Sequence, residues 1–371
     1  MYHILHLNLK NILYILYMNR IRNAVNKLFN LECENYVFVY TPPKVGSTTL
    51  VSSLRVSLGD TYNIVHLHDE VMLKVLTGIT DVTINEIIEY VSSIKKNVHV
   101  IDIYRTPIER KMSEFFEKIT SLHFNTNETI VNTYNQKRLS DRFNSLFPHL
   151  GNGEHYIEKY NIRDPILFDF KNKYTVQKKT NITYVKLRLC DSHVWPKILS
   201  AIFGKSVVLM TDYQTENKGI GELYKRFKRE YKLPLNYHHD ISQCRYLSLY
   251  YSERERNEYL NTWQHKLTQQ WTPYTEQEYK LYLTVSLENQ IATDVQREHY
   301  ADEGCRCTLC ASKRVDIFNK IQRGENVNDR ISHRELAEAQ SQQKYNTLKM
   351  AVNKKSRSKY AHNQFLIKSI S

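Results

Sequence analysis

Lys44 stands two residues ahead of a lone glycine, Gly46, and three hydroxyl side chains follow it, Ser47, Thr48 and Thr49. The stretch, which also holds Pro43 and Val45, lies between a run of strand-forming residues and a helical pattern. At such a junction the free N–H groups and dipole of the helix favour an anion. Lys44 adds a full positive charge, Gly46 lets the backbone approach closely, and the hydroxyls supply further hydrogen bonds. This is phosphate-cradle chemistry. It is not the triphosphatase loop GxxxxGK[ST], because Lys44 precedes the only glycine of the stretch instead of following a second one.

A second junction has similar chemistry. Arg105 sits where a strand from Val98 to Tyr104 hands over to a helix, and Ser113, eight positions later, falls about two turns into that helix. A guanidinium fork and a hydroxyl can together hold a phosphate. Proton acceptors cluster near the end of another strand: His66 and His68 share one side of it, and Glu70 follows. We rank them His68, Glu70, His66; ordinary strand-end polarity is the alternative for each, and His238-His239-Asp240 is a weaker cluster.

His299, Cys305, Cys307 and Cys310 offer one imidazole and three thiolates to a tetrahedral, structural zinc. The CxC pair departs from paired-CxxC fingers, Asp302 or His333 could replace His299, and free thiols or a redox pair remain the alternative. Six cysteines are too few for a disulfide scaffold in 371 residues, which favours a reducing, cytoplasmic or otherwise intracellular setting.

The elements that must position these groups follow from periodicity. Tyr36–Tyr40 is expected as a buried strand, Gly46–Leu58 as a helix, Asn63–His68 as a strand, and Thr83-Ile84-Asn85-Glu86 as a capping box opening a helix. Further strands are expected at Ile182–Leu187 and Ser206–Met210, with a helix over Val194–Phe203 between them; Phe124–Lys179 is a polar, Asn- and Tyr-rich region. Strands separated by helices imply a parallel sheet covered on both faces, with chemistry at the carboxyl ends of the strands. All eight prolines and three tryptophans lie at or before Pro273. We therefore divide the chain into an N-terminal amphipathic helix (1–33), an α/β domain (34–272) and a helical C-terminal region holding the Cys/His cluster (273–371). Apolar residues of the first helix are interrupted by Asn8, Lys10 and Asn11, so it is expected to dock on the domain and not to span a bilayer. A weak signal anchor, or a surface-lying helix in peripheral membrane contact followed by Arg20, Arg22 and Lys27, are the alternatives.

Pro43–Thr49 resembles the 5′-phosphosulfate loop of sulfotransferases, Pro-Lys-x-Gly followed by three hydroxyl residues, and Arg105–Ser113 resembles the family's 3′-phosphate motif. A softer likeness to the branch named for capsular polysaccharide synthesis runs through Asp191–Phe203, Thr211–Lys218, Leu223–Pro234 and Tyr250–Trp263, so the resemblance covers roughly residues 35 to 272. It implies a P-loop-like parallel sheet flanked by helices, the sulfotransferase fold, here with a helical C-terminal appendage. It also implies 3′-phosphoadenosine 5′-phosphosulfate as donor, with Pro43 to Thr49, Arg105 and Ser113 at the nucleotide and Lys44 on the leaving oxygen. The implied acceptor is a carbohydrate or polysaccharide hydroxyl. The formal charge of +13 suits an anionic glycan, although a Lys-rich solvated surface accounts for it equally. A catalytically inactive scaffold that binds nucleotide or polyanion is the rival; specific nucleic-acid binding is not expected.

Overall fold

The computed structural model describes residues 2–29, 32–124, 127–146, 167–210 and 219–275, with residues 279, 319, 323 and 324; for residues 2–13, 121 and 122 it describes the backbone alone. The Cys/His cluster at His299, Cys305, Cys307 and Cys310 lies outside the described residues, as do residues 211–218.

Helix α1 (Tyr2–Leu28) leads into a βαβ core: β1 (Asn35–Tyr40), α2 (Ser47–Leu58), β2 (Asn63–Leu67), α3 (Glu70–Thr77), α4 (Ile84–Ser93), β3 (Asn97–Tyr104) and α5 (Pro107–Glu117). After shorter helices come β4 (Tyr174–Lys179) and β5 (Ile182–Arg188). The sheet order is β2-β1-β3-β5-β4, parallel except for β4, which pairs antiparallel with β5. This is the α/β class with a mostly parallel sheet flanked by helices.

Alternation along the strands builds a core on each face. Tyr36, Phe38 and Tyr40 of β1 face α1, α3 and α4, packing with Ile21, Ala24, Val25, Leu73, Ile87 and Ile88. Val37 and Val39 face the other way, onto Leu50 and Leu54 of α2 and Trp195 and Leu199 of the helix Trp195–Phe203. The Thr83 capping box forms, with the Thr83 hydroxyl accepting from Glu86 N at 3.2 Å and the Glu86 carboxylate accepting from Thr83 N at 2.6 Å. α1 docks through its C-terminal half, while Tyr14, Ile15 and Leu16 stay exposed. Among the described residues no helix is long and apolar enough to cross a membrane.

Two expectations are corrected. Ser206–Met210 forms no strand among the described residues: three of its N–H groups go to serine hydroxyls, Val207 to Ser200, Val208 to Ser57 and Met210 to Ser53, at 2.9 to 3.0 Å. The polar region before Lys179 contains β4, an edge strand whose Gln177, Lys178 and Lys179 face outward in part.

A third core, beyond α5, gathers Phe115, Phe116, Phe143, Phe227, Tyr231 and Trp263. His123 is buried here, its ring stacked on Phe115 at 4.8 Å. Burial, with Lys118 and Arg142 nearby, pushes its imidazole down to about 3; burial and Lys178 push His99 down to about 4. Both bases thus bind protons more weakly folded than unfolded, so the stability they confer is complete above about pH 6.5 and is lost as pH falls. Each is expected to contribute a slope of up to about 1.4 kcal/mol per pH unit between about pH 6.5 and 4.5. Urea midpoints measured across that window should fall, and His123→Phe should remove about half of the slope; an unchanged slope would contradict the assignment.

Candidate functional site

β1 connects through α2 to β2 on one side, and β2 connects through α3 and α4 to β3 on the other. Successive strands are therefore added on opposite sides of β1, which makes the junction of the parallel strands β1 and β3 the switch point of the sheet, and sheets of this kind bind ligands in a crevice outside the carboxyl ends of the strands at that point. The Lys44 loop leaves β1 and Arg105 leaves β3, so both sequence motifs border that crevice.

Thr41 ends the strand pairing of β1. Its N–H donates to Leu67 O at 3.2 Å, and its hydroxyl both accepts from Ile103 N at 3.0 Å and donates to Ile103 O at 3.3 Å. The loop then turns sharply. Lys44 adopts φ 67° and Gly46 φ 86°, left-handed values that are uncommon for a residue with a Cβ. Arg105 Nη1 donates to the Lys44 carbonyl at 2.9 Å, which ties the two motifs directly together. The Lys44 ammonium lies 2.6 Å from a carboxylate oxygen of Glu117, the last residue of α5.

Gly46 precedes α2 without contributing a side-chain cap, so the first N–H groups of the helix, on Ser47, Thr48 and Thr49, take no hydrogen bond from the cap position. The loop rests on Leu189 and Trp195: a Cβ at Gly46 would meet Leu189 Cδ1 at 2.6 Å and Trp195 Cη2 at 3.6 Å. Since the Leu189 methyl can move aside, the positive φ sets most of the cost. Gly46→Ala is expected to lower stability by about 1–2 kcal/mol, read from urea unfolding. A loss below about 0.3 kcal/mol would mean that the loop relaxes freely.

Ser113 lies two turns into α5, as its spacing from Arg105 predicts, and is buried there. His66 and His68 come together with ring centroids 4.5 Å apart, edge to face. His68 Nδ1 lies 2.7 Å from Thr41 O. A carbonyl only accepts, so Nδ1 carries the proton, and in the neutral ring the basic lone pair is on Nε2. Glu70, in the first turn of α3, accepts from the Tyr40 hydroxyl at 3.5 Å. Burial and that carboxylate raise the Tyr40 phenol above its ordinary range. His238, His239 and Asp240 lie on a separate helix, Leu235–Ser242.

Sequence reading missed Thr41, Glu117 and a set of buried charges under the crevice. Lys186 of β5 pairs with Asp102 of β3 at 2.6 Å, both essentially solvent-free, with the ammonium 4.5 Å over the Tyr250 ring. Arg188 holds Asp191 at 2.5 Å and grips Glu255 with two bonds of 3.0 Å. Although burial opposes it, the Arg188 guanidinium and the Ser252 cap hold the Glu255 carboxyl down at about 2. Among the described residues no His, Cys, Asp or Glu cluster could hold a metal ion. No family model matches the chain, and neither the curated proteins nor the solved structures contain a match.

Proposed function

We propose that the chain is a sulfotransferase that moves a sulfuryl group from 3′-phosphoadenosine 5′-phosphosulfate to a hydroxyl of a carbohydrate or polysaccharide. The observation that carries this reading is the junction of two anion-binding elements at the switch point, with Arg105 bonded to the Lys44 carbonyl at 2.9 Å. The donor set suits a nucleotide with phosphates at two positions. The N-terminal amides of α2, the hydroxyls of Ser47, Thr48 and Thr49, and Lys44 can take the 5′ group, while Arg105 and Ser113 can take the 3′ group.

When bound, such a donor supplies an activated sulfuryl group that transfers through a loose transition state like that of phosphoryl transfer. Lys44 then neutralises charge on the leaving oxygen, and the loop amides hold the phosphate in line. His68 is the acceptor's base in this reading: Thr41 O fixes the Nδ1 proton and leaves Nε2 to take one from the attacking hydroxyl. Glu70 and His66 are the alternatives. The formal charge of +13 supports an anionic glycan as acceptor. The low number of cysteines, six in 371 residues, supports a reducing, intracellular setting.

Calorimetric titration with 3′-phosphoadenosine 5′-phosphate and with ADP tests the reading. The bisphosphate is expected to bind at least about tenfold more tightly, because only it engages both elements. With labelled donor and a glycan acceptor, His68→Ala should slow transfer by about 10²–10⁴-fold without weakening nucleotide binding. No binding by folded protein would give the lead to the inactive-scaffold reading.

A further inference from the structure

We propose that Glu117 is a built-in counter-ion that holds the anion position at Lys44 and must be displaced before a phosphate can enter, so that it sets how strongly the loop binds anions. The inference rests on the reading of the Lys44 loop as an anion cradle. Three observations point to Glu117. Its carboxylate is 2.6 Å from the Lys44 ammonium, and the Lys44 side chain is only 13% exposed, so the pair closes over the cation. Glu117 lies four residues after Ser113, which places both on one face of α5, the helix that carries the second phosphate motif. It also occupies the last turn of α5, where no basic residue offsets the negative end of the helix dipole and a carboxylate is electrostatically disfavoured. Helix stability therefore does not account for an acid here, whereas contact with Lys44 does. A π-helical turn, Ile119–His123, follows directly; such turns gather at functional sites.

The consequence is competition. Lys44 with Glu117 is a neutral pair, and an entering anion must both take the ammonium and tolerate a displaced carboxylate beside it. A group with several negative oxygens succeeds because it also reaches the α2 amides and Arg105, which Glu117 does not engage in the structure. A single-charged ion gains little by the exchange.

Pyrophosphate is the probe, and acetylation of Lys44 by acetic anhydride, read by mass spectrometry of its peptide, is the signal. In Glu117→Gln, acetylation without ligand should be faster than in wild type. The pyrophosphate concentration that halves it should fall by about two- to fivefold, the range for a partly exposed ion pair. Glu117→Asp should lie between the two. Glu114→Gln, which changes net charge equally but removes the partner of Lys111, should behave as wild type. Glu117 is 38% exposed, so the amide should fold, and thermal unfolding checks that it does. Equal protection of wild type and Glu117→Gln, or the same shift in Glu114→Gln, overturns the proposal while leaving the cradle in place. No protection in any variant removes both. A shift as expected, together with no preference for the bisphosphate nucleotide over ADP, leaves the counter-ion standing and removes the sulfotransferase reading.

Discussion

Lys44→Ala and Arg105→Ala are each expected to weaken binding of 3′-phosphoadenosine 5′-phosphate by about ten- to a hundredfold, since each deletes a charge-assisted contact worth about 1.5–3 kcal/mol. The two losses should not add. Arg105 Nη1 holds the Lys44 carbonyl, so removing Arg105 also loosens the turn that aims Lys44. The double variant is expected to lose less than the sum of the single losses, as read by calorimetry. Lys44→Gly separates charge from conformation: it should lose binding as Lys44→Ala does, yet it relieves a residue at φ 67°. Relief of that strain opposes loss of the Glu117 pair, so its stability should stay within about 1 kcal/mol of wild type. If Lys44→Gly binds the nucleotide as wild type does, the lysine is a turn residue and the site lies elsewhere.

The parts of this molecule that could be read from the chain are those whose cause is local. β1, β3 and β5 are buried between helices on both faces, so their apolar runs are continuous and recognisable. The strand-to-helix junctions that carry Lys44 and Arg105 were legible for the same reason, since each is set by its own segment. β4 escaped because an edge strand wets one face, and Gln177, Lys178 and Lys179 make it look like a loop. Ser206–Met210 misled in the opposite sense. Its apolar run has the composition of a strand, but its hydrogen-bond partners are Ser53, Ser57 and Ser200, and no local pattern announces them. Glu117 was invisible because its importance arises from a contact 73 positions away from Lys44 in the chain. A faint signal was present for the buried charges. Asp102 interrupts Ile101 and Ile103 just as Lys186 interrupts Val185 and Leu187, and two opposite charges inside two apolar strands call for one another.

Replacing one member of that pair should be among the most destabilising changes in the protein. Asp102 and Lys186 face each other in the register of β3 and β5, are 0% and 1% exposed, and meet at 2.6 Å. Asp102 also takes the Ile103 amide at 2.7 Å. Asp102→Asn removes the carboxylate that pairs with the buried Lys186 ammonium; the Tyr250 ring at 4.5 Å offsets only part of the loss. The expected loss is about 3–5 kcal/mol in urea unfolding, with a similar loss for Lys186→Met, which strands the carboxylate. Asp102→Leu with Lys186→Met removes both charges and should cost less than either single change, because an apolar pair needs no desolvated partner. The position explains a functional consequence as well. Asp102 lies three residues before Arg105, so the pair pins β3 against β5 at the end of the sheet that aims the guanidinium at the Lys44 loop. The double variant is therefore expected to recover stability but to bind the bisphosphate more weakly than wild type, with Lys44 and Arg105 both intact. Full recovery of both would mean that the charges serve stability alone and that the crevice is positioned by the apolar layers.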